Sequence, residues 1–123
     1  LYVRDYVFAG SRGWIIPGSN GYDKEVDEKL YLREAGRLEM SLQHAKKIAP
    51  DKQLIGMMHF PPTDAQGSQT LFTDLFEEFG VYKVVYGHLH SVNPDCVLTG
   101  KLRGVEYHLV SCDFTDFKLA QII

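Results

Sequence analysis

Cysteine is scarce in this chain: only Cys96 and Cys112 occur among 123 residues. Two thiols do not make a disulfide framework, and reduced cysteines in a cytoplasmic protein are the plain reading. Positive charge is in deficit as well. Thirteen Lys and Arg stand against sixteen Asp and Glu, for a net charge of −3. That balance argues against broad, charge-driven nucleic-acid binding, although not against a local basic groove. No apolar run approaches the ~20 residues needed to cross a bilayer, so no membrane association is expected. Repeats and low-complexity segments are missing too, and so is an initiating methionine. Leu1 leads directly into Tyr2-Val3-Arg4-Asp5-Tyr6-Val7-Phe8-Ala9, which reads as a strand already inside a fold. The expectation is a piece of a longer protein, and a lost targeting segment stays open.

What is present is globular. Hydrophobic residues make up 45% and charged residues 24%, values that exclude a largely disordered or fibrous chain. The length suits one domain, in which folding hides about two thirds of the unfolded surface. After the opening strand, Pro17-Gly18-Ser19-Asn20-Gly21 reads as loop. A helix is predicted over roughly Glu25 to Ala49, because Tyr31, Ala35, Leu38, Leu42, Ala45 and Ala49 fall on one stripe. Acids crowd its first turns and Lys46 and Lys47 its last, as the helix dipole prefers, and Pro50 stops it. Gln53 to Met58 is a short apolar run between prolines, suited to a buried strand. A second helix carries Leu71, Phe72, Leu75, Phe76 and Phe79, with Gly80 at the position just past its end. Val81 to Tyr86 is the next strand. Val105 to Val110 and Phe117 to Ile123 read as antiparallel β, with a turn at Thr99-Gly100. The fold class is therefore α/β, a parallel β-α-β-α-β unit followed by antiparallel β.

In such sheets, sites form beyond the carboxyl ends of the strands. His59 stands at the end of one predicted strand, and Gly87-His88-Leu89-His90 at the end of the next. Imidazole is the commonest neutral metal ligand, and two rings at i and i+2 of an extended segment share a face, their Cα atoms about 6.6 Å apart at ~3.3 Å rise per residue. Gly87 is expected to permit a sharp turn and close backbone approach. Metal ligation by His59, His88 and His90 is the reading these placements favour. Arg12 and Trp14, just after the first strand, are candidates to face a substrate, since guanidinium geometry matches phosphate. His44 reads as a solvated helix position and His108 as a strand residue without a metal role. Asp113 and Asp116 read as turn formers, Cys96 and Cys112 as inert thiols, and the phenylalanines of the second helix as core.

At these residues the chain resembles the calcineurin-like metallophosphoesterases. Met57-Met58-His59 matches the family's single His after an apolar strand, and Val84-Val85-Tyr86-Gly87-His88-Leu89-His90 its Gly-His-x-His motif. The segments Arg33 to Leu42, Met57 to Pro62 and Val110 to Leu119 look like a bacterial subgroup of predicted phosphohydrolases. The resemblance implies the carboxyl-terminal part of an α/β/β/α sandwich, residues 1–123 forming one partial domain. It implies two divalent ions (Mn, Zn or Fe), with His59 and His88 on one and His90 on its neighbour. It further implies phosphoester hydrolysis by a metal-activated water. The family's earlier motifs, Asp-x-His, Gly-Asp-x-x-Asp and Gly-Asn-His-Asp or -Glu, are not among these residues. The chain is thus expected to lack an amino-terminal half, to bind one ion weakly at best, to be inert alone, and to self-associate through exposed apolar surface. Two other readings stay open: a mononuclear zinc hydrolase on the three histidines, and a non-catalytic module that binds a partner.

Overall fold

A computed structural model describes all residues, Leu1–Ile123. Six strands and two helices alternate in the order β1 (Tyr2–Val3), β2 (Tyr6–Ser11), α1 (Lys24–Ile48), β3 (Gln53–Met58), α2 (Leu71–Glu78), β4 (Lys83–Tyr86), β5 (Gly100–Leu102) and β6 (Val105–Leu109). A single 3-10 turn, Pro94–Cys96, precedes β5. All strands join one mixed sheet, ordered β1-β2-β3-β4-β6-β5. Strands β2, β3, β4 and β6 run parallel, while β1 and β5 are short antiparallel additions at the two edges.

The helices form where the stripe said they would. Five stripe residues of α1 and the sixth, Ala49 at its carboxyl cap, are buried, and the Asp23 side chain caps its amino end by accepting from Glu25 N. Thr70 caps α2 in a reciprocal box with Thr73, and Gly80, at φ 63°, takes the left-handed step that ends it. Both helices lie on one face of the sheet: Leu38, Leu42, Phe72 and Phe76 share one core with Val7, Leu54, Val84 and Tyr107. Each fully buried side chain of this size contributes ~1.5–3 kcal/mol. The opposite face is unevenly covered: Ile55 is buried, whereas Phe8 is half-buried and Met57 48% exposed.

Three expectations are corrected. The opening run is not one strand: Arg4 adopts φ 52°, and the chain folds back so that β1 pairs with β2. The carboxyl region is not wholly antiparallel, because β6 pairs parallel to β4, with Tyr86 opposite Leu109; only β5 runs against β6. Phe117–Ile123 forms no strand. Left-handed backbone at Asp116 and Phe117 breaks the extended path, and the tail instead meets β4 through Lys83 Nζ, which donates to the Ile122 carbonyl at 2.7 Å. No helix is long and apolar enough to cross a membrane.

Candidate metal centre

Parallel pairing decides what meets at the rim. Ser11, Met58, Tyr86 and Leu109 are in register across β2, β3, β4 and β6. The segments that follow them therefore emerge side by side: Arg12–Trp14, His59–Phe60, Gly87–His90 and Val110–Asp113. Backbone hydrogen bonds stitch neighbouring outlets together. The Arg12 carbonyl accepts from both His59 N (3.2 Å) and Phe60 N (3.0 Å), and the His59 carbonyl accepts from Gly87 N (3.1 Å).

Two histidine pairs result. His59 Nε2 and His88 Nδ1 are 3.1 Å apart, one ring donating to the other. Phe60 lies against His88 with ring centroids 4.2 Å apart. Partial desolvation, then the positive charge that His59 and His90 can carry, pushes the pKa of the still exposed His88 down, so this imidazole favours its neutral, ligand-competent form. The second pair is acidic. His90 Nδ1 lies 2.8 Å from Asp113 Oδ1, and the other carboxylate oxygen accepts from Ser91 N at 2.6 Å. The Ser91 backbone contact, then the His90 side chain, holds the Asp113 carboxyl below its usual range. Cys112 stands beside them, the ligand atoms of His90, Cys112 and Asp113 all lying within 4.8 Å of one another.

The backbone at His88 is unusual. It has φ 70°, and Leu89 N donates to the Gly87 carbonyl at 2.8 Å across it. His88 thus sits at the centre of a three-residue turn, a conformation that costs a non-glycine residue about 1–3 kcal/mol. The expected extended His-x-His geometry is not what forms. Nor does Gly87 supply the turn: a Cβ there would meet only His59 O and Ser111 Oγ, each at 3.9 Å. The strain falls on the histidine itself.

Do these residues fit divalent ions? Two nitrogens bound to one tetrahedral zinc at 2.0–2.1 Å stand about 3.3 Å apart, close to the 3.1 Å found between His59 and His88. Hydrogen bonding to Asp113 through Nδ1 leaves His90 Nε2 as its free donor, the arrangement in which a carboxylate orients a ligating imidazole. Ser111 Oγ is buried at this rim with no hydrogen-bond partner within the protein. The donors fall into two groups: the His59–His88 nitrogen pair, and His90, Cys112 and Asp113, whose ligand atoms are close enough to one another to meet an ion.

The other candidates are placed as follows. Arg12 reaches the buried Glu34 at 3.7 Å, and its guanidinium lies 4.6 Å from the Trp14 ring centroid. Trp14 donates through Nε1 to Asp27 at 2.9 Å and packs on Phe60 with centroids 5.4 Å apart. Both residues border the histidines, and half of the Arg12 side chain remains exposed. His44 is exposed, and His108 pairs with Glu106. Cys96 and Cys112 are free and exposed. Asp113 and Cys112 were legible only as a turn and a thiol, because their place beside His90 depends on β6 running parallel to β4. Compared with protein-family models, curated proteins and solved structures, the chain matches none.

Proposed function

We propose that this rim is part of a metal-dependent phosphoester hydrolase site, in the carboxyl-terminal part of a metallophosphoesterase-like α/β/β/α domain working in the cytoplasm. The observation that carries this reading is the convergence of His59 Nε2 and His88 Nδ1 at 3.1 Å beside a carboxylate-anchored His90. His59 and His88 hold one ion, and His90, oriented by Asp113, holds its neighbour. Such ions polarise phosphoryl oxygens and acidify water at neutral pH. Arg12 offers a planar, half-exposed guanidinium to a phosphoryl group, and Trp14 fixes that guanidinium by lying beneath it. A dinuclear form draws its remaining carboxylates from outside these 123 residues. The mononuclear reading on His59, His88 and His90 would require those three rings to close on one ion, whereas the close three-donor group in the chain is His90, Cys112 and Asp113.

The test is metal content and hydrolysis of 4-nitrophenyl phosphate with Mn²⁺ or Zn²⁺, for this chain and for a form extended at its amino end. The expected result is weak binding of one ion and no turnover here, with metal-dependent turnover in the extended form. Turnover by this chain with one tight zinc would favour the mononuclear site. No metal response in either form would sink both. The exposed Met57 and half-buried Phe8 also support self-association of the chain, against which a clean monomer by concentrated light scattering would count.

A further inference from the structure

Beside His88 lies a cavity of about 570 Å³, walled by segments that follow β2, β3 and β4 and by the loop through Val97 and Leu98. Its volume falls within the range of small-molecule sites. Ile16, Phe60, Leu89, Val97 and Leu98 supply apolar wall. The wall is preformed, because Tyr86, also lining the cavity, donates its hydroxyl to the Leu98 carbonyl at 2.7 Å. The polar lining is one-sided. Asp64 and Asp95 contribute carboxylates, and no Lys or Arg lines the cavity. Asp64 is engaged by Ser68 and Gln66 N, and the Ser68 contacts hold it below the usual carboxylate range. Asn20 and Gln66, both exposed, also line the cavity.

A cavity with carboxylates and no cation repels phosphate, yet it opens onto the histidine that binds metal in the reading above. We infer that it holds the uncharged, ring-bearing alcohol part of a small phosphomonoester, with hydroxyl or amino donors meeting the acidic lining. This assignment rests on that reading for the word phosphomonoester; the preference for a neutral ring stands on the cavity alone. It excludes a polyphosphate chain or a nucleic-acid strand as the group lying here, since each would carry further anionic charge into an acidic, largely apolar space.

The experiment uses metal-free protein in chelator, with adenosine and phenyl glucoside as neutral ring probes and inorganic triphosphate as the anionic one, followed by amide and methyl NMR shifts. The neutral probes are expected to move the resonances of Phe60, Leu89 and Leu98 at millimolar concentration, and triphosphate to leave them in place. Leu98→Trp and Ala65→Trp each fill the cavity from a different side. Whichever folds, judged by its circular dichroism, should weaken neutral-probe binding by about tenfold or more. No shift with either neutral probe, or a stronger response to triphosphate, overturns the inference. Neutral-probe binding in a protein whose extended form never hydrolyses phosphoesters leaves the cavity assigned and removes the phosphoesterase. Metal-dependent hydrolysis of adenosine monophosphate that both filled variants leave unchanged does the reverse.

Discussion

The two histidine pairs at the rim are built from the same side chain to different ends. His59 and His88 face each other across 3.1 Å, packed on Phe60, with no carboxylate in contact. His90 is 59% exposed and bound to Asp113 at 2.8 Å. The first pair offers two nitrogen donors already close enough for one ion, with His88 held in a left-handed backbone conformation. The second offers a donor whose tautomer is set by an acid, together with the negative charge that a divalent cation needs nearby. A rim with only the first pair would bind through geometry, and one with only the second would bind through charge. The two lie at neighbouring outlets of one rim, with only Leu89 between His88 and His90 along the chain, and the proposed site needs both.

The sharpest break in this comparison is His88→Ala, which removes a nitrogen from the geometric pair. Zinc affinity measured by calorimetry should fall by more than the 10–100-fold typical of losing an outer partner, with the fold intact because the side chain is exposed. Asp113→Ala attacks the charged pair and should cost about 10–100-fold in affinity. Nitrogen-15 shifts of His90 should show mixed tautomers, while those of His59 stay put. Asp113→Asn, which can still accept from Ser91, should recover part of the loss. An unchanged His90 tautomer in Asp113→Ala would remove its orienting role.

A smaller effect separates geometry from stability. His88→Gly relieves the left-handed turn and should raise the unfolding free energy by about 1 kcal/mol in denaturant melts while abolishing the benefit of the pair to metal. The smallest effect is the response to acid without metal. His88 has a lowered pKa in the folded chain, so the unfolded chain takes the proton first. Stability therefore declines as pH falls from about 6.5 through the lower folded value. The Asp113 carboxyl is also held low, but its stabilisation is present above the ordinary value of 3.8 and vanishes only as pH drops through the folded one. His88→Ala should erase the upper decline and leave the lower one.

Much of the fold was readable because its signals are local. The α1 stripe needs only 3.6-residue periodicity, and all six of its positions, Ala49 at the cap included, are buried; the buried acids Asp27 and Glu34 were not part of it. Strand β3 was bounded by prolines and runs from Gln53 to Met58 as expected. The direction of β6 was not readable, since nothing within Val105–Leu109 says which neighbour it joins or which way it runs. That single long-range fact carries Asp113 to His90, so the acid beside the histidine was missed with it. The turn at His88 was hidden for a different reason: Gly87 invited the assignment of conformational freedom to the glycine, whereas the left-handed residue is the one after it. The histidines themselves were legible at the rim because they directly follow strands whose parallel pairing the helical connections imply.

Between the histidine outlet of β4 and the carboxylate outlet of β6, the chain makes an excursion through the 3-10 turn and the edge strand. Part of that excursion, Val97 and Leu98 included, walls the cavity but contributes none of the groups that would grip a cation. In the proposed reading, this part of the cavity wall is thus written on a stretch of sequence apart from the chelating histidines, although Phe60 and Leu89 beside those histidines complete the wall. A transplanted excursion of different length or composition could retune which molecule is admitted while the chelating corner stays as it was.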